Sequence, residues 1–137
     1  MRYYLDTNML FFILSRMTDD INNKVAAILS DYSTILYASS IAVQELLLLY
    51  RIGKFRYKYK YEDEILADLK NLQIKIVFFN KYHLDVYTSL QIVDTHKDMN
   101  DHAIISQAIS DKIPVISSDA QFKDYESQGL VFIYNKR

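Results

Sequence analysis

Four acidic side chains stand at positions where a carboxylate could do chemistry. Asp6 directly follows the strand-like segment RYYL, and Asp119 directly follows IPVISS. Asp101 opens the segment DHAIISQAISDK, whose apolar residues recur at helical spacing, so that its carboxylate lies on the face that turns toward the core. Glu45 lies among apolar neighbours in SIAVQELLLLY, one turn into the helix predicted there. Because an unpaired buried charge is costly, a cap or a cation must stabilise such groups.

Each acid taken alone also has a purely structural explanation. Asp98 and Asp101 could form a capping box at the start of their helix, and Asp6 and Asp119 could cap the helices that follow them. Glu45 could be an exposed helix residue. The joint placement favours a site, because the carboxyl ends of parallel strands meet at one edge of a sheet, and neighbouring strands lie about 4.8 Å apart.

Crowded carboxylates raise one another's pKa unless a cation compensates them. The chain has no cysteine, so any ligands here are hard oxygens, which suit Mg²⁺ or Mn²⁺. Ions of this kind commonly act on phosphates, where one or two of them orient and activate a water for in-line attack. The acid set therefore predicts metal-dependent chemistry on a phosphate ester.

The elements that must position these acids alternate along the chain. The predicted strands are 2–5, 34–39, 74–79, 113–118 and 130–135. The predicted helices are 7–16, 19–32 (capped by Asp19 or Asp20), 41–53, 62–73, 81–96, 101–112 and 119–129. Strands separated by helices imply right-handed crossovers, and apolar strands such as IKIVFF indicate burial on both faces. We expect an α/β fold, a three-layer α/β/α domain with a mainly parallel sheet of about five strands.

The composition is that of a globular protein, and the 137 residues predict a single domain, 1–137. The sequence contains no long apolar run and no recognisable signal peptide, so a cytoplasmic protein without a membrane span is expected. The formal net charge of −1 argues against a nucleic-acid binder unless the charges are unevenly distributed.

The charges are in fact uneven, because RIGKFRYKYKY (51–61) holds five cations and no acid. In an extended segment the alternating tyrosines and lysines would form an aromatic side and a cationic side, which can stack bases and hold phosphates. Contact with RNA, contact with a protein partner and a plain solvated surface all remain open. The cations concerned are Arg51, Lys54, Arg56, Lys58 and Lys60.

Two histidines suggest a different chemistry. His96 and His102 are close enough in sequence to consider general acid–base cleavage of RNA through the 2′-hydroxyl. That mechanism would leave the four acids without a role, and the simpler expectation is that His102 is an exposed residue in the first turn of its helix.

Four motifs in order resemble those of PIN-domain nucleases, with the VapC-like toxin ribonucleases as the nearest type. They are YLDTNML (4–10), SIAVQELL (40–47), KDMNDHAIISQA (97–108) and IPVISSDAQF (113–122). The resemblance makes Asp6, Glu45, Asp101 and Asp119 the acidic metal-site positions, with Asp98 as an additional acid. It also makes Asn8 and Ser117 supporting residues that hydrogen-bond the carboxylates or the water.

The resemblance implies a Mg²⁺- or Mn²⁺-dependent endoribonuclease, a homodimer, and inhibition by a small antitoxin encoded beside it. The sequence departs from the subgroup at DMNDH, where D-P-F-D-R is frequent, so that His102 replaces a common arginine. The alternative is a non-catalytic PIN-like module that binds RNA or protein, although such a module would be expected to have lost one or more of the acids.

Overall fold

A five-stranded parallel sheet forms the centre of the computed structural model, which describes residues 1–55 and 59–137. Its strands are β1 (Arg2–Leu5), β2 (Ile35–Ser39), β3 (Ile74–Val77), β4 (Val115–Ser117) and β5 (Phe132–Tyr134). They lie in the order β3-β2-β1-β4-β5, and every pair is parallel. Helices cover both faces, so the α/β expectation of a mainly parallel sheet of about five strands is confirmed.

From β1 the chain builds the sheet outward through β2 to β3, and it then returns to the other side of β1 to add β4 and β5. In register, Leu5 pairs with Ala38 of β2 on one side and with Ile116 of β4 on the other. The ends of these strands therefore reach the same edge of the sheet at the same level. Such a switch point leaves a crevice beyond the carboxyl ends, which is where open α/β sheets bind their ligands.

Within residues 1–55 and 59–137, six α-helices and two 3₁₀ helices connect the strands. The α-helices are α1 (Thr7–Leu14), α2 (Asn23–Ser30), α3 (Ser40–Arg51), α4 (Asp63–Asn71), α5 (Lys81–Ser89) and α6 (Met99–Asp111). The 3₁₀ helices are Thr18–Asp20 and Ala120–Gln128. No helix in the described part of the chain is long and apolar enough to cross a membrane.

The helix predicted over 119–129 forms as the 3₁₀ helix Ala120–Gln128, and two other helices differ more from the sequence prediction. The segment expected as one helix over 19–32 divides into a 3₁₀ turn and α2, and Asn22 caps α2 in place of the expected Asp19 or Asp20. The helix expected over 81–96 ends at Ser89, and an irregular segment leads from there to α6. His96 belongs to that segment, so the path of the irregular backbone determines the position of the His96 side chain.

Buried hydrogen bonds of one side chain, Gln107, attach α6 to the sheet. Gln107 is fully buried, and its Nε2 donates to the Val77 carbonyl at 2.9 Å and to the Tyr4 hydroxyl at 3.2 Å. Its Oε1 accepts from Ser39 Oγ at 2.6 Å. One side chain of α6 thus binds β3, β1 and β2, which fixes the helix relative to all three strands.

The basic-aromatic segment is partly built into the core. Phe55 and Tyr59 are both buried, with ring centroids 5.4 Å apart, and the Phe11 ring centroid lies 5.1 Å from that of Phe55. Arg51 pairs with Glu62 at 2.6 Å, whereas Lys54 and Lys60 are exposed. Arg56 and Lys58 lie outside the described residues, so a role of this segment in RNA or partner contact stays a prediction.

Candidate metal centre

Asp6 is held by three hydrogen bonds at the point where β1 becomes α1. Its Oδ1 accepts from the Thr7 backbone N–H at 2.8 Å, as an N-cap does. Its Oδ2 accepts from Ser117 Oγ at 2.7 Å and from Asn8 Nδ2 at 3.3 Å. The residue is only 3% exposed. Capping explains one oxygen of this buried group, and the other is oriented by side chains from β4 and α1.

Asn8 and Ser117 link the two central strand ends. Asn8 Oδ1 accepts from the Ser118 N–H at 3.2 Å, and Ser117 Oγ accepts from the Asp119 N–H at 3.0 Å. Asp119 in turn caps the following 3₁₀ helix through Oδ1, which accepts from the Gln121 N–H at 2.9 Å. The loops after β1 and β4 are therefore fixed to each other.

Glu45 reaches the same edge from α3. The sequence predicts a helix capped by Ser39 or Ser40, and Ser39 caps it. One turn later, the half-buried Glu45 accepts a hydrogen bond on Oε1 from Thr7 Oγ1 at 2.6 Å. This contact ties α3 to α1 and places a second carboxylate near Asp6.

Asp98 and Asp101 have different roles at the start of α6, where the sequence allowed both a cap and a site residue. Asp98 is the N-cap, and its Oδ1 accepts from the N–H groups of Asn100 and Asp101. Asp101 pairs instead with His96, whose Nε2 lies 2.9 Å from Asp101 Oδ2. Asp101 is half-buried, and its carboxyl group is held by a residue outside its own helix.

His96, just before α6, and His102, in its first turn, are both buried, contrary to the expectation of an exposed His102. His96 and His102 are each 5% exposed, and their ring centroids lie 4.9 Å apart. His102 Nε2 lies 3.0 Å from the His96 carbonyl oxygen, and His96 Nδ1 lies 2.9 Å from the Tyr125 hydroxyl. The sequence gives no local signal of the His96–Asp101 contact, because the segment between Ser89 and α6 is irregular and the position of His96 depends on distant partners.

The acids converge on one cavity of about 380 Å³. It is lined by Asp6, Glu45, Asp98, Asp101 and Asp119, together with Thr7, Asn8, Phe11, Phe12, Leu49 and Arg137. Among the described residues, Arg137 is the one lysine or arginine of this lining. Its guanidinium bonds Asp20 at 2.9 Å and lies 4.7 Å from the centre of the Phe12 ring. The structure thus brings together all of the acids singled out in the sequence.

Burial and mutual repulsion make this cluster hard to ionise. Burial, followed by the charge of Asp101, raises the pKa of Asp6 to about 7. Burial, followed by the charges of Asp98 and Asp119, raises the pKa of Asp101 to about 8. Two carboxyl groups therefore retain protons near neutral pH unless a cation replaces them.

The donor set fits a hard divalent ion. Within residues 1–55 and 59–137, no lysine or arginine forms a salt bridge with the acids of the cavity. Ligand atoms of His96, Asp101 and Asp119 lie within 4.8 Å of one another. Both ring nitrogens of His96 already have hydrogen-bond partners, so the available donors are carboxylate oxygens, which suit Mg²⁺ or Mn²⁺.

Comparison with known proteins agrees with this geometry. The sequence matches the model of the PIN domain over residues 3–127, which is most of the chain. The chain belongs to the PIN domain family. PIN domains are nucleases, and the acids of the cavity all lie within the matched range. A search of curated proteins finds no significant match.

Several solved structures share the PIN fold at low sequence identity. VapBC2 from Rickettsia felis, bound to a promoter DNA fragment, has a TM-score of 0.67 at 21% identity, with 98% of each chain covered. DNA-bound VapBC from Salmonella typhimurium has a TM-score of 0.68 at 16% identity, also with 98% of each chain covered. VapBC-1 from nontypeable Haemophilus influenzae has a TM-score of 0.67 at 17% identity over the whole of both chains.

Proposed function

We propose that this PIN domain is a metal-dependent endoribonuclease and the toxin of a toxin–antitoxin pair. The observation that carries the proposal is the convergence of five carboxylates on one cavity, with no neutralising lysine or arginine paired to them in the described residues. Such an arrangement is destabilising for an empty fold and useful for a protein that binds a cation.

Three acids would hold the ion directly. Asp6, Asp101 and Asp119 come from the two central strand ends and from α6, and each has a hydrogen bond that orients its carboxyl group. Glu45 and Asp98 line the same cavity and add negative charge around the ion. Bound Mg²⁺ or Mn²⁺ would polarise the phosphodiester and lower the pKa of a water molecule.

The remaining polar groups position these acids and the substrate. Asn8 and Ser117 hold Asp6 Oδ2, so that its carboxylate cannot rotate away from the cavity. Glu45, restrained by a hydrogen bond from Thr7, would accept a proton from the attacking water. Arg137 at the rim offers a cation to an RNA phosphate. Water attack in line would leave 5′-phosphate and 3′-hydroxyl ends.

The buried histidines argue against cleavage through the 2′-hydroxyl. His96 and His102 are bonded to protein groups and are 5% exposed, so neither presents a free nitrogen to a substrate. That mechanism would leave cyclic phosphate ends and would need no metal. End-group analysis of the cleaved RNA therefore separates the two mechanisms.

The toxin assignment draws on the structural neighbours. Those proteins are VapBC assemblies, and two of them are bound to DNA. By analogy we propose a small antitoxin protein as partner, a homodimeric toxin and a cytoplasmic location for this chain. The exposed Lys54 and Lys60 and the paired Arg51 belong to the surface that we would test first for antitoxin contact.

The decisive experiment measures RNA cleavage by the purified chain with Mn²⁺, with Mg²⁺ and with EDTA. We expect cleavage with either ion, none with EDTA, and none from Asp119→Asn. Asp124→Asn, which removes an exposed carboxylate outside the cavity, is the matched control and should cleave normally. Cleavage at the wild-type rate in EDTA would refute the metal mechanism.

A non-catalytic binding module is the second candidate, and calorimetry addresses it. If neither Mg²⁺ nor Mn²⁺ binds the wild-type chain while RNA does, the binding-module function is supported instead.

A further inference from the structure

A buried chain of hydrogen bonds runs from the core to the carboxyl group of Asp101. The Val93 N–H lies 3.3 Å from the Tyr125 hydroxyl, and that hydroxyl lies 2.9 Å from His96 Nδ1. His96 Nε2 lies 2.9 Å from Asp101 Oδ2. Tyr125 is fully buried, and the His96 ring packs against it with centroids 5.5 Å apart. The His96 ring is therefore fixed on both sides.

The partners of this chain determine where its protons lie. His102 Nε2 is 3.0 Å from the His96 carbonyl, and because a carbonyl can only accept, this nitrogen carries a hydrogen. His102 Nε2 is therefore a donor and cannot accept from the Tyr125 hydroxyl, 3.3 Å away. The hydroxyl accepts the Val93 N–H, and among its partners in the described residues His96 Nδ1 is the one that can still accept its proton.

For a neutral His96 ring, the tautomer that fits these partners carries its hydrogen on Nε2. A neutral imidazole has one donor and one acceptor nitrogen, and Nδ1 is here the acceptor. Nε2–H therefore donates to Asp101 Oδ2. This hydrogen bond restrains Oδ2 of the carboxylate, which lines the cavity beside Asp119. Such supporting partners commonly set the orientation and affinity of a metal ligand.

We infer that His96, oriented by Tyr125, is a positioning residue that aims the Asp101 carboxylate at the metal ion. The inference rests on the proposed function, since it gives Asp101 an ion to bind. Its proton arrangement, however, is a property of the protein alone. His96 itself is not a ligand, because binding an ion through Nε2 would break the bond to Asp101.

The tautomer can be tested without any activity. Long-range proton–nitrogen correlation spectra of the ¹⁵N-labelled chain distinguish protonated from unprotonated ring nitrogens. We expect His96 to show hydrogen on Nε2 and none on Nδ1, both in EDTA and with saturating Mg²⁺. Hydrogen on Nδ1, or loss of the Nε2 hydrogen when Mg²⁺ is added, would overturn the inference.

The positioning role is tested by Mn²⁺ affinity, measured by calorimetry on folded variants. His96→Ala should weaken Mn²⁺ binding about 10- to 100-fold, the usual effect of losing such a partner. His96→Gln keeps an N–H donor and should recover part of the affinity. Tyr125→Phe keeps the ring and removes only the hydroxyl proton, so it should also weaken binding although it touches no acid of the cavity.

His83 provides a matched control. It is a second fully buried histidine bonded to a carboxylate, with Nε2 2.9 Å from Asp111 Oδ1, but Asp111 does not line the cavity. His83→Ala should therefore leave Mn²⁺ affinity unchanged even if it lowers stability. If the His83 and His96 variants lose Mn²⁺ affinity equally, general destabilisation explains the loss, and the positioning role of His96 is refuted.

The outcomes separate this inference from the proposed function. If the wild-type chain cleaves RNA with Mn²⁺ and His96→Ala binds Mn²⁺ equally well, the inference fails and the nuclease stands. If the wild-type chain binds no Mn²⁺ at all, the proposed function fails and the positioning role fails with it, whatever the tautomer spectra show.

Discussion

Replacing Asp6 by asparagine should make the metal-free protein more stable, and increasingly so as the pH rises. The carboxyl group is 3% exposed, and its pKa rises from 3.8 to about 7 on folding. The folded state thus binds this proton more tightly than the unfolded chain does. Ionisation begins to cost stability above the unfolded pKa, and the cost grows until the pH passes the folded pKa.

The size of the effect follows from the two pKa values. At about 1.4 kcal/mol per pH unit, the ionisation of Asp6 lowers the free energy of unfolding by about 1.7 kcal/mol at pH 5 and about 4 kcal/mol at pH 8. Asparagine avoids this cost, but its NH₂ group faces the Asn8 NH₂ group, which costs about 1 kcal/mol at both pH values. The stability advantage of Asp6→Asn should therefore grow by about 2.5 kcal/mol between pH 5 and pH 8.

Urea denaturation in EDTA at the two pH values measures this difference. Asp124→Asn, at an exposed position, controls for the removal of one negative charge. Adding Mg²⁺ at pH 8 should stabilise the wild-type chain and have little effect on Asp6→Asn, because ligand binding stabilises only the form that binds. If the free energies of unfolding of the wild type and of Asp6→Asn change equally with pH, then burial and repulsion do not raise the pKa of Asp6.

Three further variants probe the surroundings of the cavity. Arg137→Ala, in a cleavage-dead Asp6→Asn background, should weaken RNA binding in fluorescence anisotropy and lower the slope of log affinity against log salt by about 0.7, as expected for one lost phosphate contact. An unchanged slope would remove Arg137 from the RNA-binding surface. Ser117→Ala should lower the free energy of unfolding by about 1–3 kcal/mol in urea and also weaken Mn²⁺ binding in calorimetry, because one hydroxyl serves two residues of the site. Tyr4→Phe removes a 2.5 Å hydrogen bond to Asp111 and should cost about 1.5–3 kcal/mol in the same denaturation assay. Its Mn²⁺ affinity should stay unchanged, and a loss there would show that this buried network reaches the cavity.

The sheet and the acid positions were predictable because their signals are local. Each strand is a short apolar run, and helix N-cap residues come close behind two of them: Asp6 directly follows β1, and Asp119 lies two residues after the end of β4. Parallel strands then bring Asp6 and Asp119 to the same edge whatever the details of packing. That inference needed only the alternation of elements and the rule that sites form at carboxyl ends.

The residues that escaped prediction depend on distant partners. His96 lies in an irregular segment that was expected to continue a helix, and its burial depends on Tyr125, 29 positions further along the chain. Gln107 reads as an ordinary polar residue of a helix, yet its three partners come from three different strands. No periodicity within one segment reports such contacts.

The anchoring of α6 has a consequence for how an RNA would be chosen. Gln107 lies within two turns of Asp101 and joins this helix to β1, β2 and β3. If the cavity is the catalytic centre of the proposed ribonuclease, these bonds to three strands hold its shape fixed when an RNA binds. Discrimination would then depend on the nucleic acid, favouring loops and unpaired stretches whose backbone bends readily into a stationary cleft.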